Sequence, residues 1–443
     1  MKKLMYLLLF FVLLRAVPAA ADPVSDFVNA YIKRNQVPGA AVLVRQNGKV
    51  VLSQGYGMAN LEHNVPVKPE TIFQSGSIGK QFTATAVMML VDQKKLSVDD
   101  PVSKYLDVPE TWSAIKIRHL LTHTSGLGDY PENFSMRGDY TEDDMLKMII
   151  AQPLSFAPGE KWSYSNLGYV TLGILIRKVS GKFYGDFLAE RVFGPLGMKS
   201  TRVISEADII PNRAAGYELR DGVLKNQEWV APTVNTTADG SLYFNVEDLA
   251  KWDAALESQS LLTRESYQQM YTPVRLNDGS TEPYGFGWGI DKTASGHNLI
   301  EHGGEWQGFT SQIARYVDDH VTVIVLCNRA GADSGFIAHS VAGLYNPVLG
   351  PARHTAKAVD PVALKVLEGK YRTESGSILT VTAAGGALIA ERSGRKMMLI
   401  PESDTSFFDE NSERTFRFVK DKNGKVISMI VASPTEVTLI KVE

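Results

Sequence analysis

Cysteine is nearly absent from the chain, since Cys327 is the single one among 443 residues. An intramolecular disulfide is therefore excluded, and stability must come from burial of apolar side chains. Cys327 ends an apolar run over residues 322–327, which predicts a buried strand carrying a small buried thiol. With 44% hydrophobic residues, this length predicts one large domain and one small one.

A dense cluster of positive charge is missing too. The chain has 46 Lys and Arg against 49 Asp and Glu, a formal net charge of −3. This balance gives no electrostatic argument for a nucleic-acid partner. The apolar run over residues 4–14 has 11 residues, fewer than the ~20 that a membrane-spanning helix needs. We therefore expect no stable membrane insertion.

The first residues have the pattern of a secretory signal peptide over residues 1–21. Lys2 and Lys3 precede the apolar run, and small residues follow it up to Ala21, where we expect cleavage. Cleavage there removes three positive charges (Lys2, Lys3 and Arg15), so the formal net charge changes from −3 to −6. The mature chain would be periplasmic or secreted. A retained anchor is the alternative, disfavoured by Arg15.

The first 350 residues predict an α/β domain over 22–350. Its two ends carry β-hairpin patterns, one around Asn47-Gly48 and one over 311–326, which could share one antiparallel sheet. Helical spacing occurs beside these hairpins and between them, over residues 24–36, 81–93, 141–151, 166–179, 246–256 and 334–344. The order predicts an antiparallel sheet flanked by helices with a mostly helical insertion. The cleft between sheet and insertion is the natural place for chemistry.

The remaining residues predict a separate all-β domain. A Pro/Ala-rich linker over 351–362 precedes short β-runs and turns over 363–443, with no helix signal. Gly385-Gly386 and Asn423-Gly424 mark two of the turns. We interpret this tail as a small barrel or sandwich.

Ser77 and Lys80 are three residues apart at the start of a predicted helix, so their side chains share one face. A hydroxyl becomes a useful nucleophile when a base takes its proton. A lysine can be that base only when uncharged, and the positive end of a helix favours the uncharged amine. Alone the spacing is a weak signal, because a serine that caps a helix gives the same pattern.

Two further segments carry side chains suited to the same chemistry. Tyr164 and Asn166 precede a predicted helix, where a phenol can relay a proton and an amide can hold substrate. His302-Gly303-Gly304 lies before a predicted strand, where glycine lets a substrate backbone approach a sheet edge. Each is weak alone, since a loop aromatic or a structural histidine is commoner.

Together the three segments resemble the family of class C β-lactamases, penicillin-binding proteins and serine esterases. The family signature is S-x-x-K, then Y-x-N, then K-x-G or H-x-G. Segments 37–40, 55–60, 118–127 and 284–288 also resemble the family, in family order, and the resemblance covers residues 24–348. It implies a serine hydrolase without metal or cofactor.

Carried over by position, the resemblance implies that Ser77 is acylated and Lys80 accepts or shares its proton. Tyr164 would protonate the leaving group and help activate water. The backbone N–H groups of Ser77 and Glu305 would form the oxyanion hole, with Gly304 beside them.

Position 302 departs from the members that hydrolyse β-lactams, which usually carry lysine there. Histidine, with a reference pKa near 6.5, is mostly neutral at pH 7 and anchors an anion weakly. Family members with H-x-G include D-aminopeptidases and esterases, so we expect short D-amino-acid peptides or small esters as substrates. Asn166 would orient them and His302 would line the opposite wall. A β-lactamase, or a penicillin-binding sensor that deacylates slowly, stays the alternative.

His119 and His123 have the i, i+4 spacing of helical metal ligands. The glutamate that a metalloprotease needs is missing, and no third ligand is evident. A structural role, anchoring the loop that follows, is the favoured interpretation. The sequence leaves open the oligomeric state and whether the β-domain touches the cleft.

Overall fold

The computed structural model describes residues 22–374, 376–392, 395–433 and 435–442. The predicted signal peptide, residues 1–21, lies outside these ranges. Within them, no helix is long and apolar enough to cross a membrane.

The helices are distributed over the whole chain, with most of them between residues 79 and 270. They are α1 (Pro23–Arg34), α2 (Gly79–Asp92), α3 (Ile117–Leu121), α4 (Glu142–Ile150), α5 (Asn166–Ser180), α6 (Tyr184–Leu188), α7 (Gly194–Leu196), α8 (Val246–Glu257), α9 (Arg264–Met270), α10 (Ser334–Tyr345) and α11 (Pro361–Val366).

The strands form one large sheet, several small ones and a barrel. Before residue 350 they are β1 (Gly39–Gln46), β2 (Lys49–Asn60), β3 (Val65–Pro66), β4 (Phe73–Gln74), β5 (Arg202–Val203), β6 (Tyr217–Arg220), β7 (Val223–Asn226), β8 (Leu242–Phe244), β9 (Val274–Arg275), β10 (Thr281–Glu282), β11 (Gly289–Lys292), β12 (Asn298–Trp306), β13 (Phe309–Tyr316) and β14 (Val321–Cys327). The barrel strands are β15 (Gly369–Arg372), β16 (Ile378–Ala384), β17 (Ala387–Arg392), β18 (Arg395–Pro401), β19 (Ser406–Asp409), β20 (Thr415–Lys420), β21 (Val426–Ser433) and β22 (Thr435–Lys441).

The large sheet joins the two ends of the first 350 residues, as predicted. Its order is β11-β12-β13-β14-β1-β2-β3, and β1 pairs antiparallel with β14. Asn47 and Gly48 both have positive φ, of 50° and 76°, as a tight Asn-Gly hairpin requires. Helices α1 and α10 pack on one face, with Cys327 fully buried beneath them, while the helical insertion covers the other.

The insertion between β3 and β11 is mostly helical but holds three small sheets. Their orders are β4-β8-β5, β6-β7 and β9-β10. Strands of two to four residues have too few positions for an alternating pattern to stand out. The sequence therefore predicted α2, α4, α5 and α8, and missed the shorter helices α3, α6, α7 and α9 as well as these sheets.

The tail is a closed barrel of eight strands in chain order, β15 to β22, with β22 pairing back to β15. The expectation that residues 363–443 hold no helix is wrong at α11, which spans the predicted linker boundary. The Asp360 side chain accepts from Val362 N, and Pro361 occupies the first turn. Leu364 on α11 and Leu367 directly after it are buried in the barrel core.

Candidate active site

Ser77 lies in a 3-10 turn, Gly76–Ile78, immediately before α2. The sequence placed Ser77 and Lys80 on one helix, whereas the helix begins only at Gly79. The two side chains nonetheless meet, with Lys80 Nζ 3.1 Å from Ser77 Oγ. Lys80 is fully buried, while Ser77 is partly exposed.

Lys80 has two further polar partners besides Ser77. Its Nζ lies 2.7 Å from Asn166 Oδ1 and 2.5 Å from the backbone oxygen of Asp239. A charged ammonium can only donate, and would donate to all three oxygens. A neutral amine that donates to Asn166 and Asp239 has its lone pair left for the Ser77 hydroxyl. The three contacts therefore satisfy the ammonium as a donor, and they leave the lone pair of the uncharged amine directed at Ser77 Oγ.

Tyr164 packs against this pair. Its ring centroid is 4.9 Å from Lys80 Nζ and 6.4 Å from the His302 ring. The Tyr164 hydroxyl is buried and has no hydrogen-bond partner among the described residues. An unpaired buried hydroxyl costs about 1–3 kcal/mol. A substrate or water that binds here would supply the missing partner.

His302 is neutral at pH 7, and the contacts fix its tautomer. Burial, helped by the charge of Lys80, lowers its pKa to about 4. Nδ1 lies 2.5 Å from the Gly303 carbonyl oxygen, so Nδ1 carries the proton and donates. Nε2 must then accept from the Tyr284 hydroxyl, 2.8 Å away. This wall therefore holds no permanent cation, as the reference pKa of histidine predicted.

His123 continues the same chain of hydrogen bonds. Its Nδ1 accepts from Ser165 N at 3.1 Å, so its Nε2 carries the proton and faces the Tyr284 hydroxyl at 3.2 Å. Burial lowers the pKa of His123 well below its usual value. His123 thus anchors the segment that carries Tyr164 and Asn166 and links it to His302, which agrees with the predicted structural role.

His119 has a separate task at the start of α3. Its Nδ1 accepts from Lys116 N at 3.2 Å, closing the first turn of that helix. In the described part of the chain, no cluster of His, Cys, Asp or Glu side chains could hold a metal ion.

Glycines bring the two expected oxyanion donors together. A Cβ on Gly304 would lie 2.9 Å from Ser77 N and 2.2 Å from Ser75 O. A Cβ on Gly76 would lie 2.4 Å from Glu305 N. The backbone of β12 can therefore pass this close to the Ser77 turn only because these positions lack side chains.

The barrel forms part of the cleft. A cavity of about 640 Å³ extends from Tyr164 and His302 to the outer face of the barrel. The residues that line it from the barrel are Glu413, Thr415 and Ala432. The question that the sequence left open is thereby answered, since the tail touches the cleft.

The cavity is lined by four carboxyl groups, from Asp291, Glu301, Asp333 and Glu413. Burial, with the charge of Glu301, raises the pKa of Asp291 to about 6, so it is mostly ionised at pH 7. His339 lies between Glu301 (2.7 Å) and Glu413. Burial would lower the pKa of His339, but these two carboxylates outweigh it and raise the pKa well above its usual value.

Comparison with known proteins identifies the family of the chain. The family model described as Beta-lactamase matches residues 24–344. The chain belongs to the beta-lactamase family. A penicillin-binding protein of Bacillus subtilis (strain 168) is 31% identical over 393 residues, covering 83% of this chain and 87% of that one. A D-aminopeptidase of Gluconobacter oxydans (strain 621H) is 28% identical over 389 residues, covering 85% and 70%.

Among solved structures, the octameric penicillin-binding protein homologue from Pyrococcus abyssi is similar along almost the whole chain. Its TM-score is 0.71 at 26% identity, and the match covers 94% of this chain and 99% of that one. The two proteins therefore share their fold along nearly the whole chain. This protein is accordingly a beta-lactamase-related serine hydrolase.

Two groups at this beta-lactamase-family site were not found in the sequence. Asp239 contributes a backbone oxygen to Lys80, and Gly240 lets its segment pass the Ser77 turn, because a Cβ there would lie 2.6 Å from Gly76 O. Asp129 Oδ2 accepts from Asn166 Nδ2 at 3.0 Å, which fixes the amide orientation. The Asp239-Gly240 pair was a usable turn signal. Nothing around Asp129 distinguished it from a surface acid.

Proposed function

We propose that this protein hydrolyses short amides or esters of D-amino acids through an ester on Ser77. The observation that carries the proposal is the Lys80 amine, 3.1 Å from Ser77 Oγ with both other contacts made to fixed oxygens. These two contacts hold the amine in position to take the hydroxyl proton, and its burial keeps water from replacing the hydroxyl as its partner.

The steps follow from this arrangement. The Ser77 proton moves to Lys80 Nζ while Oγ bonds to the substrate carbonyl carbon, and the N–H groups of Ser77 and Glu305 receive the oxyanion. The carbon–nitrogen or carbon–oxygen bond to the leaving group then breaks, with a proton delivered through the Tyr164 hydroxyl. A water molecule then attacks the ester carbon and gives a proton to the Lys80–Tyr164 pair. The bond from that carbon to Oγ breaks, and the pair passes the proton to Oγ, which restores the Ser77 hydroxyl and releases the acid.

The cavity favours an ammonium group over a carboxylate on the substrate. His302 is neutral and offers no permanent cation at the wall. Four carboxyl groups line the cavity next to His302, with His339 as their counter-charge: Asp291, Glu301, Asp333 and Glu413. A free α-amino group gains from such surroundings, whereas a β-lactam carboxylate loses. The D-aminopeptidase relative supports the same class of substrate.

A substrate panel tests the choice. We expect D-alanine p-nitroanilide to be turned over faster than its L-isomer and faster than nitrocefin, with N-acetylation of the D-substrate lowering kcat/KM at least tenfold. Nitrocefin as the best substrate by far would overturn the proposal in favour of a β-lactamase.

Ser77→Ala separates an enzyme from a binding protein. We expect the variant to lose both turnover and labelling by a fluorophosphonate, with Ser113→Ala, an exposed serine, as the matched control that keeps both. Mass spectrometry after exposure to penicillin distinguishes the remaining case. A lasting adduct on Ser77 together with no turnover of any amide or ester would favour a slowly deacylating sensor, and would contradict the proposed hydrolysis.

We also propose export to the periplasm or medium, on the pattern of residues 1–21 alone. N-terminal sequencing of the protein from fractionated cells tests this proposal. A mature chain that starts at Asp22 outside the cytoplasm supports export, and an intact Met1 in the cytoplasm contradicts it.

A further inference from the structure

The open end of the barrel contains a second cavity, of about 760 Å³. It lies among the ends of strands β16, β18, β20 and β22, and the β6–β7 hairpin of the hydrolase domain borders it. An eight-stranded barrel is just wide enough to be filled by its own side chains or to hold one small ligand. The volume is within the usual range for small-molecule sites.

The inner wall of the barrel stays apolar toward this end, but its side chains become exposed to solvent. On β22, Leu439 is buried, while Val437 faces the same side two residues away and is 47% exposed. On β21, Met429 is buried and Val431 is only partly buried. Alternation along a strand puts each pair on one face. The apolar lining therefore continues beyond the packed core, and the space that it encloses is the cavity.

Two arginines stand at the mouth of this lining. Arg414, directly before β20, faces the same side as Phe416, and its Nη1 lies 3.6 Å from Met397 Sδ. Arg392, which ends β17, donates to Ser377 Oγ at 3.1 Å. Neither makes an ion pair with a carboxylate in the described part of the chain.

The other charges at the mouth are fewer or already paired. Lys396 lies 3.7 Å from Glu391. Asp221, on the hairpin of the hydrolase domain, is the single carboxylate among the described lining residues. Among the described lining residues, positive charge therefore predominates above the apolar lining.

We propose that this barrel cavity binds a small amphipathic carboxylate, with its hydrocarbon part among Met397, Val431 and Val437 and its carboxylate on Arg392 and Arg414. Guanidinium groups pair with carboxylates through two parallel hydrogen bonds, which suits this head group. The site is separate from Ser77 and does not depend on the proposed hydrolytic function.

Isothermal titration of the purified protein with octanoate tests the site, using octan-1-ol as the uncharged probe. We expect one octanoate to bind per chain, and octan-1-ol to bind at least tenfold more weakly. Arg392→Gln with Arg414→Gln should weaken octanoate at least tenfold. Arg417→Gln, an exposed position on β20, is the matched control and should change nothing.

A second pair of variants tests the apolar part without touching the charges. Val437→Trp fills the cavity and should abolish octanoate binding, whereas Ile440→Trp, outward-facing and exposed on the same strand, should leave it intact. Ser77→Ala should bind octanoate as the wild type does. The proposal is overturned if octanoate does not bind, if Val437→Trp binds it normally, or if labelling Ser77 abolishes the binding.

Discussion

In the hydrolase domain, the groups that meet at Lys80 come from far along the chain, with Asn166 86 residues away and Asp239 159 residues away. In the barrel, each strand pairs with the next one, and only the closure of β15 with β22 is distant. Long-range contacts form only when the whole domain has folded, whereas hairpins form locally. The catalytic geometry therefore depends on the entire first domain, and the barrel can vary more independently.

The largest expected effect comes from removing the amine that joins these distant segments. Lys80→Ala should lower kcat/KM at least ~1,000-fold, about 4 kcal/mol, because Ser77 loses its proton acceptor. Steady-state kinetics with the best substrate of the panel measures it. Lys182→Ala, an exposed lysine on the same domain, is the control. A loss below tenfold would mean that Lys80 is not the base.

Two neighbouring glycines on β12 give a sharper contrast. Gly304→Ala places a Cβ 2.2 Å from Ser75 O and 2.9 Å from Ser77 N, both backbone atoms. We expect about a 100-fold loss of kcat, since oxyanion donors act through accurate placement worth roughly this much. Gly303→Ala comes too close only to the flexible end of the Gln312 side chain, at 2.8 Å, since the Ser311 oxygen is at an ordinary 3.7 Å, and it should cost less than tenfold in kcat. Equal losses for both variants would contradict this account of the oxyanion site.

A smaller effect is expected on specificity at position 302. His302→Lys adds a permanent cation to the wall, so the ratio of kcat/KM for nitrocefin to that for D-alanine p-nitroanilide should rise about tenfold. An unchanged ratio would show that this wall does not contact the charged group of the substrate.

The smallest effect concerns the contact between the two domains. His339→Gln removes the cation between Glu301 and Glu413, and we expect a loss of about 1 kcal/mol in the free energy of unfolding near pH 6, because Glu413 is partly exposed. The folded pKa of His339 is raised, so its stabilising effect is fully present below the unfolded value near 6.5 and disappears as pH rises through the folded value. Thermal unfolding from pH 5 to 10 should therefore show the variant approaching the wild type at high pH. A constant difference would point to packing instead of charge.

The sequence predicted the elements with strong local patterns. The Asn47-Gly48 hairpin, helices α2, α5 and α8, and the barrel hairpin around Gly385 all follow from alternation, helical spacing or turn residues. The three candidate site segments were recognised through their family resemblance, since no local pattern places Tyr164 beside Lys80.

Other features had no local signal in the sequence. The partners of Lys80 at Asp239 and of Asn166 at Asp129 depend on where distant loops come to rest. The ion cluster at His339 depends on how two domains dock. Helix α11 was missed because six residues are too few to show a helical period. Asp360-Pro361 was nevertheless a recognisable signal for the start of a helix.

Strand β20 and the residues before it have different neighbours on their two sides, with Glu413 and Thr415 toward the catalytic cleft and Arg414 and Phe416 toward the barrel interior. Because side chains alternate, inserting or deleting one residue here would exchange the two sets. A single insertion or deletion would then turn the carboxylate of Glu413 toward the barrel interior and the guanidinium of Arg414 toward the cleft. Natural variation along this stretch should therefore proceed by substitution, with its length preserved among close homologues.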